Sequence, residues 1–287
     1  MEEESKYAKS KWAKTLGVST SGYYSWLLER DSRVPRKEQL RPHVLRVFKE
    51  GRGSYGADRI CGILRTEGER ASFGVVSTIM QEEKISSKHN KRRQRSLTDS
   101  SAARDDSYKN LVKDLEINRP YQVLSSDITY VRTAEGFDYH VQIMDVYTKQ
   151  VLGCAQQPHM KAELVIEALK RATDQHTLPE GVIFHSDRGS QYTSKLVKEH
   201  LKSLNWQASY SRVGKPGDNA WSESFFALLK KEVLHGANFR TREEARMRIF
   251  GYIYGFYNSQ RKQKLPGYLS PNEFIENLQE QVLEKVA

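Results

Sequence analysis

Val182-Ile-Phe-His-Ser-Asp187-Arg-Gly-Ser-Gln-Tyr192 changes character at its centre. Gly181 to Ser186 is a short apolar run, the pattern of a buried strand, and it ends at Asp187. Gly189 and Ser190 then break the strand. A carboxylate at a strand end is usually a turn or cap residue, so Asp187 alone decides nothing. Two other acids give it meaning. Upstream, Asp127 sits in Leu124-Ser-Ser-Asp127-Ile-Thr-Tyr-Val131, part of an apolar, β-branched stretch that reads as a strand. Downstream, Glu223 sits in Asp218-Asn-Ala-Trp-Ser-Glu223-Ser-Phe-Phe226. There Asp218 or Asn219 is expected to cap a helix beginning near Ala220. Glu223 then falls near the first turn, where the helix dipole favours an ionised carboxylate. The 35 residues from 188 to 222 separate Asp187 from Glu223. These three acids can share one pocket only if the chain folds back over itself. Clustered carboxylates repel one another. A divalent metal offsets that repulsion, and hard oxygen ligands suit Mg²⁺.

The words around the acids resemble the transposases of two-frame bacterial insertion sequences, specifically the downstream frame (OrfB) of insertion-sequence family three. His185-Ser-Asp-Arg-Gly-Ser-Gln-Tyr192 and the Asp218 to Phe226 stretch carry most of the likeness, with the DD(35)E spacing. Asp127-Ile-Thr-Tyr130 matches the first motif, and Ser209-Tyr-Ser-Arg212 matches the approach to the Glu motif. Leu16-Gly-Val-Ser19 with Tyr23, Tyr24 and Trp26 looks like the family's amino-terminal helix-turn-helix, and Gly53-Ser-Tyr-Gly56 with Arg59-Ile60 like its helical entry region. Tyr257-Asn258, Arg261, Gly267-Tyr268 and Ser270-Pro271 look like its carboxyl-terminal signature. Coverage is close to the whole chain. Leu124 stands where the family usually has Trp, Lys262-Gln263 where it has Pro-His, and Pro266 where it has Leu. None of these departures touches the acids.

Composition points the same way. The 287 residues carry a net charge of +10, and the chain is long enough for two or more domains and a substantial core. Residues 1 to 100 hold 21 Lys+Arg against 13 Asp+Glu, a net +8, so the remainder carries only +2. The amino-terminal third therefore carries the electrostatic footprint for phosphate, although basic charge alone also fits RNA or an anionic membrane. No span approaches the roughly 20 apolar residues of a transmembrane helix, and the Met-Glu-Glu-Glu-Ser opening is no secretory signal. Cys61 and Cys154 lack zinc spacing and read as buried reduced thiols of a cytoplasmic protein.

Along the chain, 6–16 and 21–30 read as a helix–turn–helix, capped at Ser19 or Thr20. Helices follow over 39–49, 57–66 and 73–83, the last capped by Ser72 and preceded by a stop at Gly68. Lys88-His-Asn-Lys-Arg-Arg-Gln-Arg95 reads as an exposed basic linker tracking phosphates, which makes Lys88, Lys91, Arg92, Arg93 and Arg95 candidate DNA contacts. The expected division is a helix-turn-helix-like unit over 1–35, a second helical DNA-binding unit over 36–87, a basic linker over 88–117 and a catalytic domain with a C-terminal helical extension over 118–287. In that domain, strands are expected over 123–131, 139–147, 150–156, 181–186 and 207–211, with helices over 162–175 and 193–203, then from 220 and over 242–257. This order is that of an α/β, ribonuclease-H-like mixed sheet flanked by helices, preceded by an all-α region. Among rival groups, Asp145 and Asp138 stay outside the metal set. Glu232 lies roughly 13 Å along the helix from Glu223, and His185 reads as a hydrogen-bonded structural residue. Lys230, seven residues after Glu223, shares its helix face and is expected to contact DNA phosphate.

The resemblance implies a DDE transposase with an integrase-type catalytic core. Asp127, Asp187 and Glu223 would hold two Mg²⁺, with Mn²⁺ as a substitute. Asp127 would bridge the ions. The reaction would be hydrolysis at element ends, then attack by the freed 3′-hydroxyl on another phosphodiester. Implied partners are DNA, as terminal inverted repeats and as target, a homo-oligomeric assembly on that DNA, and an upstream-frame protein by fusion or association, with no membrane. The setting would be the bacterial cytoplasm at the nucleoid. Two other functions remain open at this level: a catalytically inactive DNA-binding regulator of the same element, and a ribonuclease-H-like repair nuclease.

Overall fold

The computed structural model describes residues 13–15, 17–30, 34–88, 108–212 and 216–286. Most of the expected 6–16 helix, and the basic candidates Lys91, Arg92, Arg93 and Arg95, lie outside the described residues. Helix α1 (Thr20–Arg30) starts where Ser19 Oγ accepts the Gly22 N–H at 3.0 Å, one of the two caps expected.

A three-helix unit follows: α2 (Arg36–Glu50), α3 (Ala57–Thr66) and α4 (Phe73–Glu82). Its core is Leu40, Val44, Val47, Tyr55, Ile60, Leu64, Val76 and Ile79. Ser72 caps α4 by accepting the Val75 N–H, as expected. Helix α2 begins three residues earlier than the reading from Gln39 and carries Pro42 in its interior.

The second unit is built on a five-stranded sheet: β1 (Val123–Thr133), β2 (Gly136–Asp145), β3 (Val151–Gln157), β4 (Ile183–Ser186) and β5 (Gln207–Tyr210). The spatial order is β3-β2-β1-β4-β5. The first three strands form an antiparallel meander, while β4 and β5 add in parallel. Asp145 secures the end of the second strand. It accepts from the N–H of Tyr121 (3.0 Å) and from the N–H and hydroxyl of Thr148 (2.9 and 2.6 Å), so its role is structural, as expected.

Helices cover both faces. On one side α5 (Ala162–Gln175) and α6 (Lys195–Ser203) pack on Leu124, Val141, Ile143, Leu152, Phe184 and Tyr210. Each such side chain contributes about 1.5–3 kcal/mol on full burial. On the other side lie α7 (Ala220–Leu229) and α8 (Arg242–Tyr252), with Phe225, Phe226, Leu229, Ile249 and Phe256 against Val131, Met144 and Cys154. The helix expected over 242–257 is thus divided, its last five residues forming a π-helical turn over Ile253–Tyr257. Ala245, Ile249 and Ile253 of that stretch are buried on the sheet. The chain ends in α9 (Pro271–Val286). Both cysteines are free and buried. No helix among the described residues is long and apolar enough to cross a membrane.

Candidate active site

Strand pairing decides which way the first acid points. Asp127 lies opposite Gln142, and its neighbour Ser125 lies opposite both Met144 on β2 and His185 on β4. Met144 packs in the α7–α8 core, so alternation along β1 puts Asp127 on that same face. His185 meets the Trp221 ring edge-on, with centroids 6.2 Å apart, again under α7. Asp187 follows His185 by two, just past the end of β4. Glu223 rides on α7 itself. Strand, strand end and covering helix therefore bring the three acids toward one face of the sheet.

Electrostatics records their proximity. Burial pushes the Asp127 carboxyl up to about 7, and the charges of Asp187 and Glu223 add to the rise. The Ile128 N–H, donated to Asp127 Oδ1 at 2.8 Å, and the Lys230 ammonium oppose it. Burial also raises Asp187, against a hydrogen bond from the Gly189 N–H at 3.0 Å, and raises Glu223. Asp127 and Asp187 are half-buried and Glu223 is exposed. Among the described residues, no three His, Cys, Asp or Glu side chains close into a tight metal cluster. The donor set nevertheless fits a divalent ion: it consists of hard oxygens, and its charge disfavours its own ionisation until a cation arrives.

Neighbouring residues hold this arrangement. His185 is fixed on both ring nitrogens, Nδ1 by the Ser209 hydroxyl at 2.8 Å and Nε2 by the Asp218 carbonyl at 3.0 Å. Burial pushes its pKa down to about 4, so the ring is neutral and structural, as expected. Neither expected cap bonds the start of α7 through its side chain. Asp218 instead accepts from the Arg212 guanidinium, the Arg212 N–H and the Asn110 amide, all at 2.9 Å, and Arg212 holds its carboxyl far below the usual range. Asn219 donates to the Ser126 carbonyl at 3.1 Å. That bond ties the entry of α7 to β1 beside Asp127. The sequence carries no local signal for it, since Asn before a helix ordinarily reads as a cap. Ser126 Oγ in turn meets the Tyr192 hydroxyl at 2.8 Å, tying β1 to the helical turn beyond Asp187. Glu232 is not part of the site. It pairs with Arg261 at 2.7 Å, with the two side chains 3% and 1% exposed.

An antiparallel meander extended by two parallel strands, with acids on β1, after β4 and on the covering helix, defines an integrase-core enzyme of the ribonuclease-H-like class. Comparison with known proteins agrees. The Integrase core domain family matches residues 117–216, a second Integrase core domain family matches 223–278, and the HTH-like domain family matches 35–93. The chain is 34% identical over 265 residues to the transposase InsF for insertion sequence IS3A of Escherichia coli (strain K12), covering 91% of each chain. It is 33% identical over 248 residues to the transposase for insertion sequence element IS904 of Lactococcus lactis subsp. lactis (strain IL1403), covering 84% of this chain and 97% of the other. Among solved structures it is similar to the catalytic core domain of BIV integrase (TM-score 0.43, 16% identity, 56% of this chain and 99% of that one). It is also similar to the HTLV-2 integrase catalytic core domain in complex with magnesium (TM-score 0.41, 15% identity, 54% and 95%). The chain belongs to the family of insertion-sequence transposases that includes InsF, enzymes of DNA cleavage and strand transfer.

Proposed function

We propose that Asp127, Asp187 and Glu223 are the catalytic carboxylates of this transposase and that they bind two Mg²⁺, or Mn²⁺ in their place. The observation that carries this reading is the convergence of the three acids on one sheet face, with Asp127 pushed up by burial and by the charges of its two acidic neighbours. Bound there, the ions would activate the attacking oxygen and stabilise the leaving one in an in-line displacement at phosphorus. Asp127, Asp187 and Glu223 would together supply the oxygen ligands that hold the pair. Lys230 would hold a DNA phosphate beside the carboxylates. The hydrogen bonds of Asn219 and His185 keep α7 and β4 in register, which fixes the acids before DNA arrives.

The DNA would be the element's terminal inverted repeats and then a target, recognised largely by the helical units over 1–35 and 36–87 and by the linker cations Lys88, Lys91, Arg92, Arg93 and Arg95. The working species would be a homo-oligomer at the bacterial nucleoid, joined to or associated with an upstream-frame protein. The test is cleavage of a labelled duplex carrying the element's own end, with Mg²⁺ or Mn²⁺ and with EDTA. The reading expects 3′-hydroxyl products only with metal and none from Asp187→Asn. Equal cleavage in EDTA would overturn it.

A further inference from the structure

A cavity of about 300 Å³ opens where the three-helix unit meets the helices beyond α7. One wall is Arg52, Ser54 and Lys88; the other includes Glu232, Arg248, Tyr252 and Phe256. The single acid of the lining is already used. Glu232 accepts from Arg261 at 2.7 Å and from the Tyr252 hydroxyl at 2.9 Å. Among the described residues no carboxylate meets Arg52, Lys88 or Arg248, and all three are exposed. Arg52 rests over the Phe256 ring at 4.4 Å and reaches the Gly255 carbonyl at 3.5 Å, which leaves most of its five donors for a ligand.

The walls are held in register. The Lys262 N–H donates to the Tyr55 hydroxyl at 2.8 Å, and the Tyr268 ring fills the space above Gly62, where a Cβ would come within 1.9 Å of it. The Lys88 N–H donates to the Gly53 carbonyl at 3.1 Å. Arg52 itself has a φ of 50°, a left-handed conformation that an arginine adopts at a cost, although glycines flank it on both sides. A charged residue kept where glycine would be easier argues that its guanidinium is used.

We infer that this notch binds a backbone phosphate of DNA, with Arg52, Lys88 and Arg248 as its cations, and so carries the duplex from the helical unit to the catalytic unit. Guanidinium forks match phosphate oxygens bidentately, and the Phe256 ring beneath Arg52 holds that fork in place. Lys88 also opens the basic run 88–95, so the notch lies at the start of the segment richest in cations. The inference rests on the DNA-transposing function above.

The experiment uses the full chain with two fluorescent duplexes of equal length, one bearing the element's own end and one unrelated, titrated over a range of salt. Arg52→Gly and Arg248→Gln should each weaken both duplexes by a similar factor. Each should also lower the slope of log affinity against log salt by about 0.9, the value of one lost phosphate contact. Arg52→Gly should melt close to the parent, because glycine accepts that φ freely and so offsets the lost contact with the Phe256 ring. Lys202→Gln, at an exposed position of α6, should change neither quantity. Unchanged affinity and slope in both notch variants would overturn the assignment, as would loss confined to the element-end duplex, which would signify base readout. If the parent chain bound neither duplex, the DNA-acting function would fail instead.

Discussion

At Asp127 two costs meet, burial and the charges of two neighbouring acids, and together they push its carboxyl up to about 7. A ligand that would remove the cost is a cation. Asp127→Asn, Asp187→Asn and Glu223→Gln keep shape and remove a ligand charge. Each should cut strand cleavage on the order of 10³-fold or more, through lost transition-state stabilisation, while anisotropy shows DNA binding retained. Near-parental cleavage by any one variant removes that residue from the mechanism. A different pair carries stability. Glu232 and Arg261 are almost fully buried together, so Glu232→Ala strands a charge and should cost about 3–5 kcal/mol in urea unfolding. A loss below about 1 kcal/mol would mean that the pair is solvated. His140 sets a pH dependence. It is buried on β2 beside the Phe226 ring, and neither ring nitrogen finds a partner of good geometry. Burial pushes its pKa down to about 3 against the opposing pull of Gln156. In the unfolded chain it titrates near 6.5, so below that pH the unfolded state takes up the proton and the folded state does not. Stability should therefore fall as pH drops from about 6.5 toward 3, with His140 contributing about 1.4 kcal/mol per pH unit. His140→Leu should flatten the curve by that slope. An unaltered slope would show that the ring is protonated or solvated in the fold.

Elements behave according to what presses on them. Gly153 on β3 faces α5 so closely that a Cβ would come within 2.5 Å of the Ala168 carbonyl and 2.6 Å of the Ala172 nitrogen. Both are backbone atoms and cannot swing aside. Gly153→Ala should push α5 off the sheet and cost about 3 kcal/mol, toward the upper end of overpacking penalties, seen as a lower urea midpoint; a neutral result would mean that the helix shifts freely. The same physics decides what the sequence makes legible. Helix α5 matches the expected 162–175 because its apolar stripe, Leu164, Val165, Ala168, Leu169 and Ala172, is local and complete. All three acids are read onto the element types they occupy, since apolar runs and flanking breakers are local signals too. What was not legible depends on contacts across the chain. Asn219 lies 93 residues from Ser126, and Asp218 is drawn off the helix end by Arg212 and Asn110. The π-helical turn over Lys230–Leu234 carries Glu232, whose partner Arg261 lies 29 residues on, a pairing with no local signal.

Across the whole molecule, the carboxyl-terminal segment is bound to the amino-terminal helices. Lys262 bonds Tyr55, Lys264 pairs with Asp58 at 3.0 Å, and Tyr268 sits on Gly62. A chain starting near Ser107 would thus lose more than its charge: it would expose the Tyr268 and Phe256 rings. It should lose general DNA affinity with the +8 on residues 1 to 100 and end-specific binding with the helical units, and should also become more protease-sensitive after Phe256. Normal footprinting of the terminal repeat by that fragment would instead locate specificity in the catalytic unit. Assembly poses the remaining question of scale. Each chain offers one set of three acids, and joining two DNA ends requires both to be held in register. A single chain that cut one end and then the other would have to release the first before strand transfer, losing the proximity on which the second step depends. The active complex should therefore contain at least two chains for two ends. The stretch 242–257 contributes little to such an interface, because Ala245, Ile249 and Ile253 are buried on the sheet and Met247 is its one strongly exposed apolar residue, at 67%. The exposed Tyr130–Phe137 pair on the β1–β2 hairpin, with ring centroids 5.7 Å apart, is a better-placed apolar surface. Native mass spectrometry of the assembled protein–DNA complex decides the point. Two or more chains on two ends is the expected result, and Tyr130→Ser with Phe137→Ser should shift the mass toward separate complexes of one chain on a single end. A fully active complex of one chain with two ends would refute the multimer and require one set of acids to serve both ends in turn.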